Sequence, residues 1–452
     1  MSRSGRNFGL AVFASLYGVW FFRMARYGLH SWFSEDDLLN LSYSTARPLG
    51  DLIRANFLFF SHYNRPLGQL LLYGLYARFG FNPGPFNVVR LVLCMICLVV
   101  LYLFVSRIAG SREAGILSVL LMGFHPALRS LYYESGMYFD VLAFLFYYLA
   151  FWLYMRDRRS LWVLLPFVAA LDSKEIAVSL PVALLLYELV VARERRYRTA
   201  LITGVLTLIY AIGKMTGPGA LGGLSAYHPQ ISLSHYLDNY AHYAAEFTFL
   251  ADGAIRPVIA FVLAGCIGLA LAMRNRVMIW ASLFNLVAIL PIAFIPPRNG
   301  FAFFVPLAGW AVYMSILLVQ CREIVTRHKR SLRAPAQIAV AAALCWLVLR
   351  PEVQLMDRDF YPAVHKDQFM NRDAWNSLKV SLPQKPGNMR VLALREPFVL
   401  EYALYFLLRL GYRDPAIQVD TVRLLTLHNL PVLPGQYDAV IDYADGQFFR
   451  VK

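Results

Sequence analysis

The run NVVRLVLCMICLVVLYLFVSRI, residues 87–108, decides the fold class of this chain. Apolar runs of about 18 residues or more are typical of helices that cross a bilayer, because that length covers the hydrocarbon core. Comparable runs recur along the 452 residues, of which 58% are hydrophobic and 16% charged, with a mean hydropathy of +0.50. The composition therefore predicts an all-α polytopic membrane protein over most of the chain.

Hydrophobic periodicity and the charges that interrupt it predict about eleven spans. They are expected near residues 8–29, 87–108, 114–131, 138–155, 160–176, 177–192, 199–215, 256–273, 277–295, 300–320 and 335–350. The first run is too long for the apolar region of a typical signal peptide and lacks a small-residue cleavage site. It is therefore expected to remain as the first helix of a transmembrane domain over residues 1–350.

The basic residues predict the orientation of these spans. The formal net charge is +15, and the basic clusters of the membrane part lie at residues 107–112, 156–159, 193–198, 274–276 and 322–333. With a cytoplasmic N-terminus all of them fall on the cytoplasmic side, as the positive-inside rule requires. A span at Pro66–Phe79 would break this agreement, so that segment is predicted to be an interfacial or re-entrant helix. A multi-pass inner (plasma) membrane protein accounts for the charge without a nucleic acid partner.

The last part of the chain has the composition of a soluble domain. Residues 388–394 and 437–443 alternate like strands, and the second leads through Asp445-Gly446 into a hairpin. The apolar run 398–410 contains Glu401 and Arg409 and is short, so it is predicted to be a helix that does not span. Residues 351–452 are therefore predicted to form a small α/β cap on the external (periplasmic) face.

Three adjacent carboxylates, Glu35, Asp36 and Asp37, follow the first apolar run. Clustered carboxylates repel one another, which raises the pKa of at least one of them unless a cation or a metal relieves the repulsion. A carboxylate with a raised pKa suits general-base work on an acceptor hydroxyl. The alternative is a solvated acidic cap at a helix start, where the helix dipole favours negative charge.

Cations on the predicted external face form a second group of candidates. Arg65 and Arg298 lie beside proline in apolar surroundings, and a guanidinium there suits a lipid phosphate. The alternative is snorkelling of the side chains towards lipid headgroups. Lys174 and Glu175 are candidates as near-membrane ionisable residues, although they could pair with each other, or Asp172 could pair with Lys174.

The segment after residue 124 contains further polar candidates. Asp140 enters an apolar run and is expected to face a polar cavity, with Glu134 just before that run. His125 is more readily explained as a hydrogen-bonded structural residue than as a ligand. No spacing of the H-x-x-x-H kind predicts a metal site. Acidic residues alone could still hold Mg²⁺ or Mn²⁺.

Taken in order, these motifs resemble the GT-C superfamily of membrane glycosyltransferases, and within it the protein O-mannosyltransferase-like group, the transmembrane-and-TPR O-mannosyltransferases and the aminoarabinose transferases. The resemblance covers about residues 8–320. It rests on Glu35-Asp36-Asp37, Tyr63-Asn64-Arg65-Pro66-Leu67, His125-Pro126 followed by Gly136 and Asp140, Ser173-Lys174-Glu175, and Arg298 ahead of Pro306 and Gly309.

The resemblance implies an inverting transferase that takes a sugar from a polyprenyl-phosphate donor at the external face. Asp36 would be the catalytic base, with Asp37, Glu35, Asp140 and Glu134 as further catalytic candidates. The donor phosphate would be bound by Arg65, Lys174, Arg298 and Tyr63, supported by His125 and Glu175. Ser130 stands where the TPR-bearing relatives place an acid, and this chain has no TPR domain.

These departures leave the acceptor open among a protein, a lipopolysaccharide and another glycan. The alternative function is a transporter or flippase for a lipid-linked or anionic solute. Such a protein would be expected to show repeated halves and polar residues near the bilayer midplane.

Overall fold

A computed structural model describes residues 14–56, 59, 64–216, 228–247, 256–298, 300–327, 330–332, 334–340, 342, 343, 346, 361–382 and 388–451. Most of these residues are helical, and one small sheet lies near the C-terminus. The α-helices are Glu35–Thr45, Leu49–Ala55, Pro66–Phe79, Pro83–Ile108, Arg112–Gly123, Tyr138–Arg156, Leu164–Ser173, Leu180–Leu186, Arg198–Thr216, Leu233–Phe247, Arg256–Ala272, Arg276–Ala288, Leu290–Ala293, Phe304–Val325, Tyr361–Ser381, Ala403–Tyr412 and Val422–Leu427.

Shorter turns of 3-10 and π-helix extend or join these helices. The 3-10 segments are Arg26–His30, Pro126–Tyr132, Ser135–Met137, Leu161–Val163, Glu175–Ser179, Gly300–Phe303, Arg330–Leu332 and Pro434–Gln436. The π-helical segments are Phe21–Ala25 and Tyr187–Ala192. Three apolar helical stretches that are long enough to span a membrane begin with such a 3-10 segment, at Ser135, Glu175 and Gly300.

Within the described residues, 6 helical stretches are long and apolar enough to cross a membrane. They are Pro83–Ile108, Ser135–Arg156, Glu175–Ala192, Arg198–Thr216, Arg276–Ala293 and Gly300–Val325. The number rises to 7 if Arg112–Gly123 and Pro126–Tyr132, which meet at 74°, form one broken span. The chain thus has the helices of a polytopic membrane protein.

The prediction of about eleven spans is wrong for two physical reasons. The predicted span 114–131 is bent by 74° next to Pro126, because proline cannot continue the helical hydrogen bonding. The helical stretches Leu161–Ser173 and Pro257–Ala272 are shorter than a span requires. The first and last predicted spans, 8–29 and 335–350, lie partly outside the described residues.

Direct contacts gather the basic loops at one end of the helix bundle. The Arg107 guanidinium donates to the Met155 carbonyl at 3.0 Å, and Arg322 pairs with Glu113. Arg158 pairs with Glu188 and Glu194 at the same end. We call this the basic end. Asp140, one of the charged candidates of the sequence analysis, lies in the first turn of the helix whose last turn contains Arg156, and therefore at the opposite end of the bundle.

The outer helix, Pro66–Phe79, is one of the elements at that opposite end. Its 14 residues are too few to cross a bilayer. It packs on the helix Glu35–Thr45, and Gly68 lies against the Phe139 ring, where a Cβ atom would come within 2.3 Å of a ring carbon. This close approach requires glycine. The segment is a short helix that packs on its neighbours, and its interfacial or re-entrant position stays a prediction.

The cap contains a four-stranded sheet of order β2-β1-β3-β4, formed by β1 (Arg390–Ala393), β2 (Gln418–Thr421), β3 (Ala439–Ala444) and β4 (Gln447–Arg450). The strand β1 is parallel to β2 and β3, and β4 closes an antiparallel hairpin. Both predicted strand regions and the hairpin are confirmed. The hairpin turn uses φ of 50° at Asp445 and 81° at Gly446, as a two-residue turn requires.

The cap helix, Ala403–Tyr412, begins later than the predicted start near residue 398. Residues 398–400 instead form a loop that contacts the helix Glu35–Thr45. The strand β2 was not predicted. The cap shares one hydrophobic cluster with the bundle, in which Phe33, Leu38 and Leu41 pack with Leu404 and Leu407. The cap is therefore fixed against the acidic segment by a common core.

The first helix of the cap, Tyr361–Ser381, adds polar contacts to the same segment. The Gln368 amide receives a hydrogen bond from the Trp32 N–H at 3.2 Å and donates to the Tyr133 carbonyl at 3.0 Å. The Asn371 amide donates to the Phe33 carbonyl at 3.0 Å. These bonds hold residues 31–33, and hence the start of the helix that follows them, in a defined position.

Candidate active site

The acidic helix, Glu35–Thr45, is capped by its own carboxylate. The Asp37 N–H donates to the Ser34 hydroxyl at 3.2 Å, and the Ser34 N–H donates to the Asp37 carboxylate at 2.9 Å. This reciprocal arrangement satisfies two helix-start N–H groups. The other Asp37 oxygen accepts a hydrogen bond from the Gly136 N–H. Asp37 is buried and both its oxygens are used, so it positions the helix rather than facing a substrate.

Glu35 connects the acidic helix to the cap. Its carboxylate accepts hydrogen bonds from the Val399 N–H at 3.0 Å and the Leu400 N–H at 2.6 Å. Burial raises the pKa of Glu35, and the two N–H donors act against that increase. Arg423 continues the contact, because its guanidinium donates to the carbonyls of Phe398 and Val399 at 3.0 and 2.9 Å. Glu35 therefore fastens the 398–400 loop.

Asp36 differs from both neighbours. Its side chain is exposed, and its carboxylate accepts no hydrogen bond from the residues that the structure describes. Asn40 donates to the Asp36 backbone carbonyl at 2.9 Å, which leaves the carboxylate itself available. Nearby protein atoms partly desolvate the Asp36 carboxylate and raise its pKa, and the positive charge of Arg298 acts in the opposite direction. Of the three adjacent acids, Asp36 is the one that folding leaves open for chemistry.

Glu134 lies in the same group of carboxylates. Burial, followed by the negative charges of Asp37 and Asp36, raises the pKa of Glu134 to about 8. A hydrogen bond with the Ser130 side chain acts in the opposite direction. Glu134 therefore carries a proton at neutral pH beside the open carboxylate of Asp36. Two carboxyl groups with raised pKa values, Asp36 and Glu134, therefore interact electrostatically.

Two ion pairs organise the next group of charges. Arg65 binds Glu175 through two guanidinium nitrogens, at 3.1 Å from Nε and 2.9 Å from Nη2. Lys174 pairs with Asp140, and both of these side chains are buried. Lys174 therefore pairs neither with Glu175 nor with Asp172, the two partners considered from the sequence. The backbone of Lys174 is extended, with φ of −162°. Because successive side chains of an extended chain alternate in direction, Lys174 and Glu175 point to different partners.

The Arg65 backbone is constrained. It occupies the left-handed region, with φ of 57°, directly before the outer helix, where a side chain costs about 1 kcal/mol or more. The guanidinium carbon lies 5.7 Å from the centre of the Phe139 ring. The bidentate bond to Glu175 and this aromatic contact hold the side chain next to Asp140. Arg65 is thus a positioned cation rather than a free one.

The segment around Arg298 connects the two groups of charges. The Arg298 N–H donates to the Tyr243 hydroxyl at 3.2 Å, and the half-buried side chain acts electrostatically on Asp36. Further along, the Lys174 ammonium lies 5.1 Å from the centre of the Phe301 ring. A Cβ atom on Gly300 would come within 2.3 Å of the Ala127 carbonyl oxygen, so a residue larger than glycine does not fit at this position.

Two basic residues near the site were missed in the sequence analysis. Arg90 is fully buried and donates to the carbonyls of Gly28 and Tyr132, both at 3.0 Å, and to the hydroxyls of Ser31 and Ser135. Lys214 is buried and acts electrostatically on Asp172 and Glu175. Each is a single charged residue inside an apolar run, and this pattern could have identified both residues from the sequence.

His125 and Tyr63 complete the sequence candidates. The His125 ring nitrogen Nδ1 accepts a hydrogen bond from the Ala127 N–H at 3.3 Å, and the ring contacts Trp310 edge-on. His125 is buried and caps the 3-10 segment that follows it, in agreement with a structural role. Tyr63 lies outside the described residues. In the described part of the chain, no group of three His, Cys, Asp or Glu residues is arranged to hold a metal ion.

Asp36 lies within electrostatic reach of Arg298 and of Glu134. The Arg65–Glu175 ion pair lies at the start of the outer helix, which packs on the acidic helix. This part of the molecule can offer one open carboxylate, one carboxyl group with a raised pKa and fixed cations. Comparison of the chain with protein-family models and with curated proteins gives no match.

Proposed function

We propose that this chain is an integral-membrane inverting glycosyltransferase that moves a sugar from a polyprenyl-phosphate donor to an acceptor hydroxyl, with Asp36 as the base. The observation that carries the proposal is the division among three adjacent acids. Folding uses the carboxylates of Glu35 and Asp37 and leaves that of Asp36 exposed near Arg298. A carboxylate that is costly to place and makes no folding contact is best explained by chemistry.

The proposed step is a single displacement at the anomeric carbon. The acceptor oxygen forms a bond to that carbon while the bond from the carbon to the phosphate oxygen breaks, and the phosphate leaves with the electron pair. Asp36 takes the proton of the acceptor hydroxyl. Its raised pKa makes it a stronger base than an aspartate in water. Attack opposite to the leaving group inverts the configuration of the sugar.

The cations have a defined part in this step. A donor phosphodiester gains one negative charge when it leaves as a monoester, so fixed positive charge near it lowers the barrier. Lys174 and Arg65 are held by Asp140 and Glu175, so they need no reorganisation when the charge develops. Arg298 lies closer to Asp36 and is proposed to contact the phosphate on that side.

The apolar helices suit the lipid part of the donor. The site lies at one end of helices that are long and apolar enough to span a membrane, and a polyprenyl chain partitions into the same layer. The basic end is opposite, which under the positive-inside rule puts the basic end in the cytoplasm and the site on the external (periplasmic) face. We therefore propose a multi-pass inner-membrane protein with an external cap.

The test is cleavage of a defined donor by the full chain in lipid nanodiscs. A panel of polyprenyl-phosphate hexoses and pentoses, radiolabelled in the sugar, would be incubated with the protein, and the released labelled sugar would be measured. Slow transfer to water requires no knowledge of the acceptor. The proposal predicts cleavage of at least one donor with inversion at the anomeric carbon. Retention of configuration, or no cleavage of any donor, would contradict it.

A further inference from the structure

An aromatic strip lies on the cap side of Asp36. It consists of Tyr43 from the acidic helix and Tyr402 and Phe406 from the start of the cap helix. The ring centres of Tyr43 and Phe406 are 6.3 Å apart, and those of Tyr402 and Phe406 are 5.4 Å apart. The Tyr43 side chain is 57% exposed. An exposed ring beside two half-buried ones leaves an aromatic face open to a ligand.

The strip is in register with the open carboxylate. Tyr43 follows Asp36 by seven residues, which is two helical turns, so both side chains lie on the same face of the acidic helix. Asn40 lies between them on that face. Tyr402 interacts electrostatically with Asp36, Glu35 and Tyr43, and burial raises the pKa of its hydroxyl to about 12. The strip therefore begins next to Asp36 and leads away from it.

The strip and the cations belong to different parts of the molecule. Tyr402 and Phe406 belong to the cap, whereas Arg298 is attached to the bundle through Tyr243 and Lys174 through Asp140. In an inverting displacement the acceptor approaches from the side opposite to the leaving group. With the phosphate bound by the cations of the bundle, we expect the acceptor at the cap.

The chemistry of the strip suits a sugar ring. A pyranose has a face of weakly positive C–H groups that can lie on the negative face of an aromatic ring. Its hydroxyl edge can donate hydrogen bonds to carboxylates such as Asp36. The two elements that form the strip are helices, whose backbone groups are bonded internally. A peptide acceptor is commonly bound by pairing with an exposed strand edge, and among the described residues no strand contributes to the strip.

We propose that the aromatic strip of Tyr43, Tyr402 and Phe406 binds a sugar ring of the acceptor, and that the acceptor of this enzyme is therefore a glycan. The inference rests on the proposed function and deepens it, because it selects one class among the acceptors that the sequence leaves open. The ring is held so that its hydroxyl edge points towards the Asp36 carboxylate.

The experiment measures binding without a donor. The full chain in biotinylated nanodiscs is applied to an array that carries bacterial-type oligosaccharides and serine- and threonine-containing peptides. We expect capture by a subset of the oligosaccharides, and a loss of about fivefold to tenfold in apparent affinity for Tyr43→Ala, because one stacking contact is removed. Tyr43→Phe keeps the ring and should bind within about twofold of the wild type. The matched control is Phe449→Ala, which removes an aromatic ring that is 44% exposed on β4.

A second variant separates ligand binding from docking of the cap. Tyr43→Leu keeps an apolar side chain against Phe406 but has no aromatic face, and protection of the cap from protease reports docking. Loss of oligosaccharide capture by Tyr43→Leu with the cap still protected supports the proposal. Capture of peptides instead of oligosaccharides overturns it, as does capture by neither class or wild-type capture by Tyr43→Leu.

The proposed function is tested separately in the same preparation. Donor cleavage by water does not involve the strip, so it is measured on the wild-type chain. Cleavage without Tyr43-dependent capture overturns the glycan inference alone, whereas capture without cleavage of any donor overturns the transferase proposal on which it rests.

Discussion

The two ends of the helix bundle both contain buried ion pairs, yet they treat their carboxylates differently. At the basic end, Glu113 binds Arg322 at 2.9 and 2.7 Å, and Gln337 adds a third donor. At the site end, Glu175 binds Arg65 in the same bidentate manner. Only the site end also has Asp36, whose carboxylate is open within the described part of the chain, and Glu134, whose pKa is raised to about 8.

The comparison separates two uses of charge. A carboxylate that is fully bonded to an arginine stabilises a junction between helices and has no proton to exchange near neutral pH. A carboxylate with a raised pKa and no direct partner costs stability and can exchange a proton. Ion pairs alone therefore do not identify the site in this molecule. The acids beside them do, because Asp36 has an open carboxylate and Glu134 has a raised pKa.

The largest effect is expected for Asp36→Asn. Steady-state transfer should fall by about 10²- to 10⁴-fold, the usual contribution of a positioned base. The melting temperature should not fall, because the side chain is exposed and the removed charge makes no folding contact. Both are measured on one nanodisc preparation, and a fall in melting temperature that accompanies the lost activity would indicate a structural role.

The converse is expected for Glu113→Gln at the basic end. The Arg322 side chain is only 1% exposed, so removal of its bidentate partner should cost about 3 kcal/mol of unfolding free energy. The transfer rate of the folded fraction should stay within about twofold of the wild type. Denaturant unfolding and transfer per folded molecule measure the two quantities. The comparison between the ends would fail if Glu113→Gln slowed transfer as strongly as Asp36→Asn.

Arg298→Ala should weaken donor binding by about 10- to 100-fold, since a charge-assisted hydrogen bond to phosphate contributes roughly 1.5–3 kcal/mol. The KM for the acceptor should change much less, because the proposed acceptor side is on the cap. Equilibrium binding of radiolabelled polyprenyl phosphate in nanodiscs measures the first quantity. Equal losses for donor and acceptor would contradict a phosphate role for Arg298.

The smallest effect concerns the pH profile of Glu134→Gln. Wild-type Glu134 carries a proton below about pH 8 and becomes negatively charged above it, next to Asp36 and Asp37. Wild-type kcat/KM should therefore decline above about pH 8, and the permanently neutral glutamine should remove that decline. Below pH 7 the two profiles should coincide within about twofold. An unchanged alkaline decline in the variant would exclude Glu134 as its source.

Local sequence chemistry predicted much of the fold. The apolar runs indicated spanning helices, and Asp445-Gly446 indicated the hairpin of the cap. The count of spans failed because hydropathy does not register the bend next to Pro126 or the early ends of shorter helices. The strand β2 has only four residues, too few for an alternating pattern to stand out.

The candidate site was predicted as a set of residues but not as an arrangement. The partners that distinguish the three acids are distant in sequence, since Gly136 lies 99 residues from Asp37 and Leu400 lies 365 residues from Glu35. No local pattern can reveal such contacts. The pairing of Lys174 with Asp140 likewise depends on the backbone direction at one residue and on the packing of two helices.

The most direct test is single-turnover cleavage of one radiolabelled polyprenyl-phosphate sugar by three variants of the adjacent acids, with the protein in saturating excess over the donor. We predict that Asp36→Asn slows the cleavage step by about 10²- to 10⁴-fold, while the cleavage rates of the folded fractions of Glu35→Gln and Asp37→Asn stay within about tenfold of the wild type. Near-wild-type cleavage by Asp36→Asn, or an equal loss in all three variants, would contradict the assignment of the base to Asp36.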